Sequence, residues 1–354
     1  MDEATFRILD TLSRELGRTI SIRQLTAKIR QYYGTGYYAR TYNKLNELSR
    51  QGLITITKAG RSSIPSLDFS SYKLLDLLTE IEMRKKREFL DGFKNLQPLL
   101  MDMEALAHND SQIESISSID PEHNAKLNRA EILILLHDID SNNLPDKLIS
   151  IHSAFRTLQS SRIIRVDSLP LTTNEFRSLL ISNAINPLKE MLSNRITFYN
   201  PNSFWQNIAE ISRSSGKIIF EKEETSPAKI SDTDIHYNLS RFGYRELGIE
   251  RQEGRPICIE FIITAIMIRE DARLIDSIPI ILAKNKVDYS LLIFLSQKYG
   301  LLSRLLGLLR VLEKLKPNRD TASAIKMIVS LGAKGTRVNE KAVQQKMRLY
   351  DAIR

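Results

Sequence analysis

The chain has one cysteine, one tryptophan and, between Gly92 and Gly216, no glycine at all. A single thiol excludes an internal disulfide and fits a reducing, cytoplasmic setting; Cys258, within Ile257-Cys258-Ile259, reads as a small buried hydrophobe. The glycine gap excludes a Gly-rich phosphate cradle from the middle of the chain, because backbone amides approach phosphates closely only where no Cβ intervenes. Long apolar runs are missing too. The stretches 257–268 and 291–312 are interrupted by Glu260, Gln297, Lys298 and Arg304, so no membrane span is expected. The start, Met1-Asp2-Glu3, is acidic with no apolar segment behind it, unlike a secretion signal. The five histidines form no zinc-ligand spacing, and Gly332-Ala333-Lys334-Gly335-Thr336 lacks the spacing of a P-loop; no cofactor is expected.

What is present is a globular composition, 42% hydrophobic and 26% charged, in 354 residues, enough for two or three cores. The net charge of +9 is unevenly placed. Residues 1–63 carry 11 Lys/Arg against 5 Asp/Glu and residues 302–354 carry 12 against 4, which leaves the centre acidic. Basic ends on an acidic body suggest a polyanion touched at particular places.

Helical spacing of Phe6, Leu9, Leu12 and Leu16 marks a first helix over Asp2–Leu16. Ser21 with Gln24 three residues on is a capping-box pattern, opening a second helix with Leu25 and Ile29 inward and ending by Gly34. A third, Tyr37–Gln51, places Leu45 and Leu48 inward, with Tyr38 and Tyr42 expected to join them in the core. Leu53–Thr57 alternates, turns through 58–63 and returns as Ile64–Leu67, a hairpin after three helices. These features predict a winged helix-turn-helix, followed by a connector helix from Tyr72 to about Phe93 that holds the basic run Arg84-Lys85-Lys86-Arg87.

Residues 105–128 are polar and aperiodic and read as a linker. Strand-like runs at 130–136 and 162–166 flank a helical segment, Leu144–Leu158; helices at 173–182 and 186–193 and a strand at Arg195–Tyr199 complete a small α+β unit. A second polar stretch, 221–234, precedes apolar helices at 257–268, 271–283 and 289–315. Beyond Pro317 the chain is basic and expected to be less regular, with Ala322, Ile325, Ile328 and Val329 suggesting one docked amphipathic helix. The expected fold class is mainly α with α+β parts, in three domains: 1–95, 96–220 and 235–354.

Between Arg18 and Arg61 stand nine Arg/Lys and one acid, Glu47, a composition suited to duplex DNA. Arg40, Thr41, Asn43 and Lys44 occupy the first half of the third helix, where a recognition helix meets base edges; Arg23 and Tyr37 flank it, and Lys58 and Arg61 sit at the hairpin tip, within reach of flanking phosphates. Tyr32, Tyr33 and Tyr37 could donate hydroxyls to phosphate.

Tyr37-Tyr38-Ala39-Arg40-Thr41-Tyr42 with Gly52-Leu53-Ile54 resembles the N-terminal winged helix of prokaryotic, archaeal-type proteins that couple this module to a nucleotidyltransferase-like domain. Arg165-Val166-Asp167-Ser168-Leu169-Pro170 with Glu175-Phe176, and the segments 186–190 and 198–205, resemble the middle of minimal nucleotidyltransferases. The resemblance implies a transferase fold that lacks the Gly-Ser turn. Of its carboxylates, Asp138, Asp140 and Asp167 are the candidates for a metal site, although the Asp138-x-Asp140 pair follows its strand where the family's pair begins one. It also suggests the antitoxin half of transferase toxin–antitoxin pairs. The expected function is a DNA-binding transcriptional regulator whose central domain binds a partner or ligand, assembled with a protein partner or a second copy of the chain. The alternative is an active nucleotidyltransferase acting on protein or RNA.

Overall fold

The computed structural model describes residues 1–140, 143–162, 164–215, 218, 226–245 and 253–353. It is mainly helical, with two small sheets. The first half runs α1 (Glu3–Arg14), α2 (Ile22–Tyr33), α3 (Tyr38–Arg50), β1 (Ile54–Ala59), β2 (Ser62–Leu67), α4 (Tyr72–Gly92), α5 (Gln97–His108), β3 (Ile113–Ile119), α6 (Pro121–Lys126) and β4 (Arg129–Leu136). Next come α7 (Leu144–Arg162), β5 (Arg165–Thr172), α8 (Thr173–Ile181), α9 (Pro187–Ser193), β6 (Arg195–Tyr199) and α10 (Pro201–Ser215). The remainder is helical: α11 (Asp232–Arg241), α12 (Ile259–Arg269), α13 (Ala272–Ile275), α14 (Ile278–Lys284), α15 (Tyr289–Lys298), α16 (Leu302–Leu315), α17 (Arg319–Ser330) and α18 (Glu340–Leu349).

Two compact units result, each discontinuous in sequence: Met1–His137 with Phe176–Ser182 and Leu188–Lys222, and Asp138–Glu175 with Asn183–Pro187 and Glu223–Arg354. In the first, α1–α3 bury Phe6, Leu9, Leu12, Leu25, Ile29, Leu45 and Leu48 among themselves, and β1 and β2 form an antiparallel hairpin closed by Gly60-Arg61. The stretch 105–128, expected to be a linker, instead holds the end of α5, strand β3 and α6. β3 is paired antiparallel to β4 on one side and β6 on the other, with Ser117 and Thr197 hydroxyls 2.9 Å apart across the strands. Its serines make it look polar, yet inside the sheet Ser115, Ser117 and Ser118 are all buried. Helices α4, α5 and α10 pack on β3 and β6.

A polar network fastens the helical module to this sheet. Asp10 of α1 pairs with Arg14 (2.8 Å) and with Lys85 of α4 (3.3 Å), and Tyr33 of α2 donates its hydroxyl to it. Burial alone would raise the Asp10 carboxyl, but Lys85, Arg14 and the Tyr33 hydroxyl outweigh it and hold it below the usual range. Lys85 donates to the Arg195 carbonyl at 2.8 Å, and Glu82 lies 3.4 Å from the Arg195 guanidinium while accepting the Thr197 amide at 2.8 Å. Arg195, 2% exposed, lies over Phe204 and Trp205 at 4.4 and 4.6 Å.

In the second unit α12 and α15 are apolar on every side and correspondingly buried. Where unbroken helices were expected at 271–283 and 289–315, the chain bends between α13 and α14 and again at Gly300, whose φ of +72° ends α15. Cys258 is the N-cap of α12, half-buried as a residue, and burial pushes its thiol well up from the ordinary value. The basic tail is ordered helix: α17 buries Ala324, Met327 and Ile328 against α7, α15 and α16, while Val329 is exposed. The segment between α17 and α18 lies so close to α16 that a Cβ on Gly307 would stand 2.5 Å from the Thr336 carbonyl oxygen. Ile163 and the 221–225 part of the expected polar stretch lie outside the described residues. No helix among the described residues is long and apolar enough to cross a membrane.

His152 of α7 is buried, with Nδ1 3.0 Å from the Ser168 hydroxyl of β5, and burial pushes its pKa from 6.5 down to about 4. Below pH 6.5 the unfolded chain takes up a proton that the folded unit refuses, so this group's contribution to stability falls by about 3 kcal/mol between pH 6.5 and 4. We expect the stability difference between wild type and His152→Asn, followed by denaturant unfolding, to narrow across that window. A difference independent of pH would count against it.

Candidate nucleic-acid interface

Helices α2 and α3 are set close together. Ser21 and Gln24 close the expected capping box at the start of α2. Gly36, in the turn, is buried against α2, and a Cβ there would lie 2.8 Å from the Thr26 carbonyl oxygen. Arg30 donates to the Gly36 carbonyl at 2.9 Å and Arg7 to the Thr35 hydroxyl at 2.7 Å, so the turn is tied to α1 and α2. Tyr32 and Tyr33 are tied as well. Their hydroxyls donate to Glu15 and Asp10, and burial with those carboxylates pushes Tyr32 to about 12 and Tyr33 higher still. They are engaged inside the fold, contrary to the expectation that their hydroxyls would donate to phosphate.

Four residues of α3 are placed differently from the sequence expectation, and one geometric fact explains them. The helix buries the stripe Thr41, Leu45, Leu48. At about 100° per residue this leaves Tyr38 and Tyr42 on one flank, Arg40, Lys44 and Glu47 on the other, and Ala39, Asn43, Asn46 and Arg50 opposite the core. Thr41, expected to meet bases, is therefore 6% exposed, and Tyr38 and Tyr42, expected in the core, are 52% and 42% exposed with their rings 6.2 Å apart and nearly parallel. Lys44 is held between Asp2 (3.0 Å) and Glu47 (2.8 Å), which raise its pKa above the usual value against the effect of burial. Arg40 lies over the exposed Tyr37 ring at 5.4 Å. Ala39, Asn46 and Arg50 were missed; counting from Leu45 and Leu48 by helical period would have found all three.

The nine cations between Arg18 and Arg61 separate into two groups. Arg18 and Lys28 pair with Glu15, Lys44 pairs as above, and Arg30 is bonded to the turn. Arg23, Arg40, Arg50, Lys58 and Arg61 are exposed, and no ion pair holds them among the described residues. Arg23 and Arg61 line one open groove of about 700 Å³ with Ser21, Gln24, Tyr38 and Ser62, bounded by the start of α2, the start of α3 and the hairpin. Arg23, Tyr38 and Arg61 come together there from three separate elements.

The acidic candidates have structural employment. Asp138 caps α8, accepting from the Asn174 amide at 3.2 Å and the Thr173 hydroxyl at 3.0 Å. Asp167 is fully buried and paired with Arg165 at 3.1 Å. Among the described residues no three His, Cys, Asp or Glu are grouped as metal ligands.

Comparison of the chain with protein-family models, with curated proteins and with solved structures finds no match. The resemblance noted above thus rests on the quoted residues alone.

Proposed function

We propose that residues 1–67 form a winged helix-turn-helix that binds duplex DNA, with α3 in the major groove and the β1–β2 hairpin as the wing, and that the protein is a transcriptional regulator. The observation that carries this reading is the groove in which Arg23 and Arg61, both free of carboxylate partners, stand beside the exposed face of α3. Free guanidinium groups along one side of a protruding helix are what a phosphate backbone running past that helix requires. Lys58 adds an exposed cation on the same hairpin.

Anisotropy titration of a labelled 30-base-pair duplex against salt tests it. Each neutralised phosphate contributes about −0.9 to the slope of log K against log salt, so Arg23→Ala and Arg61→Ala should each flatten the slope by about one unit and weaken binding to all sequences alike. Slope and affinity unchanged in both variants would remove the assignment and leave the module a protein-contact one.

A further inference from the structure

The face that α3 turns away from the core has a composition that selects among base pairs. Ala39, Asn43, Asn46 and Arg50 follow one another at intervals of four, three and four residues, with the Tyr42 ring alongside, stacked on Tyr38. A carboxamide pairs with adenine through its N6 and N7, and a methyl or aromatic group fits the thymine methyl; guanine is read by the paired donors of Arg or Lys. The two cations in the first half of α3 are not on this face. Lys44 is engaged by Asp2 and Glu47, Arg40 lies over Tyr37, and both belong to the flank beside α1. Arg50 closes the last turn, whereas a recognition helix meets base edges through its N-terminal part. Asn43 and Asn46 are separated by about 4.5 Å along the axis, close to the spacing of neighbouring base pairs, about 3.4 Å.

We propose that this face reads a run of A·T pairs in duplex DNA: Asn43 and Asn46 take adenines of adjacent base pairs, and Ala39 and Tyr42 lie against thymine methyl groups. The inference rests on the DNA-binding reading above and adds to it the class of sequence bound. It also moves base recognition from Arg40, Thr41 and Lys44 to Asn43, which is exposed, and Asn46, which is half-buried on the outer side of the helix. Arg23 and Arg61, on the hairpin side, supply the sequence-independent attraction that brings this face to the groove.

Selection of the full-length protein on duplexes randomised over 14 base pairs tests this. Neighbouring A·T pairs should be enriched. At those positions the wild type should prefer A·T to G·C on the order of 10- to 100-fold, the range of a good two-bond contact. Asn43→Ala and Asn46→Ala should each abolish the preference at one position and keep it at the other, while Arg40→Ala weakens binding to every sequence by the same factor. Both asparagines lie on the outer side of α3, away from its buried stripe, and retention of the helical circular dichroism confirms folding. Enrichment of G·C pairs, or a preference that survives both substitutions, overturns the inference while leaving duplex binding in place. Failure to bind any duplex overturns the DNA-binding reading itself, and the inference with it.

Discussion

Glu82→Ala is expected to destabilise the N-terminal unit by about 3–5 kcal/mol, the loss typical when one partner of a buried ion pair is removed. Glu82 is buried and uses both oxygens, one near Arg195 and one on the Thr197 amide. Without it the Arg195 guanidinium is left in an apolar pocket with the Phe204 and Trp205 rings and the Leu192 carbonyl, 2.6 Å from its Nη1. Rings attract a cation far less than they penalise its dehydration. Replacing both partners, Glu82→Met with Arg195→Met, should recover much of the loss, because an apolar pair of similar volume leaves no charge stranded. Trp205 is the only tryptophan in the chain and lies under Arg195, so its emission during denaturant unfolding reports on this unit. A loss below about 1 kcal/mol in the single variant, the range of a solvent-exposed pair, would show that the network is hydrated.

Removal of residues 318–354 should unfold the second unit. Met327, Ile328, Val343 and Met347 are buried by α17 and α18 against α7, α14, α15 and α16, and the Thr336 amide donates to the Ser303 carbonyl at 3.0 Å. Each large side chain contributes about 1.5–3 kcal/mol on burial, so together they rival the 5–15 kcal/mol that holds a whole domain together. Hydrogen exchange in α12, α15 and α16 should lose its protection in the shortened chain. Protection within about 2 kcal/mol of the full-length value would mean that the tail is dispensable to this unit. A salt-dependence test of the tail's positive charge therefore requires charge substitutions, since cutting at Pro317 removes packing along with charge.

How much of this was legible in the sequence depended on the range of the signal. The capping box at Ser21, the hairpin and the cation-rich segment 18–61 are local patterns, and the structure has them where they were expected. The orientation of α3 was misjudged because residue type was allowed to outweigh period. Tyrosine suggests core and threonine suggests surface, but Leu45 and Leu48 fix the buried stripe and put Thr41 in it. Strand β3 was hidden by its serines, whose partners in β4 and β6 are supplied from elsewhere in the chain. Lys85 sits in a run of four basic residues that reads as solvated surface. Its partners Asp10 and the Arg195 carbonyl are 75 and 110 residues away, and no local pattern announces them.

The unequal flanks of α3 have a further consequence. On the α1 side the carboxylates of Asp2, Glu3 and Glu47 are paired with Lys44, Arg7 and Arg84, and Asp2 is held at about 2, against the opposing effect of burial, by the Thr5 amide and Lys44. On the hairpin side stand Arg23, Lys58 and Arg61 without carboxylate partners among the described residues. The two edges of the protruding helix thus differ in how their charges are engaged: beside α1 the carboxylates neutralise cations in place, and beside the hairpin the cations stand open. A polyanion arriving from solution is drawn first to the hairpin edge. On the DNA-binding reading proposed above, the phosphate strand beside the hairpin would feel these open cations within about a Debye length, 8 Å at physiological salt, before the helix itself makes contact.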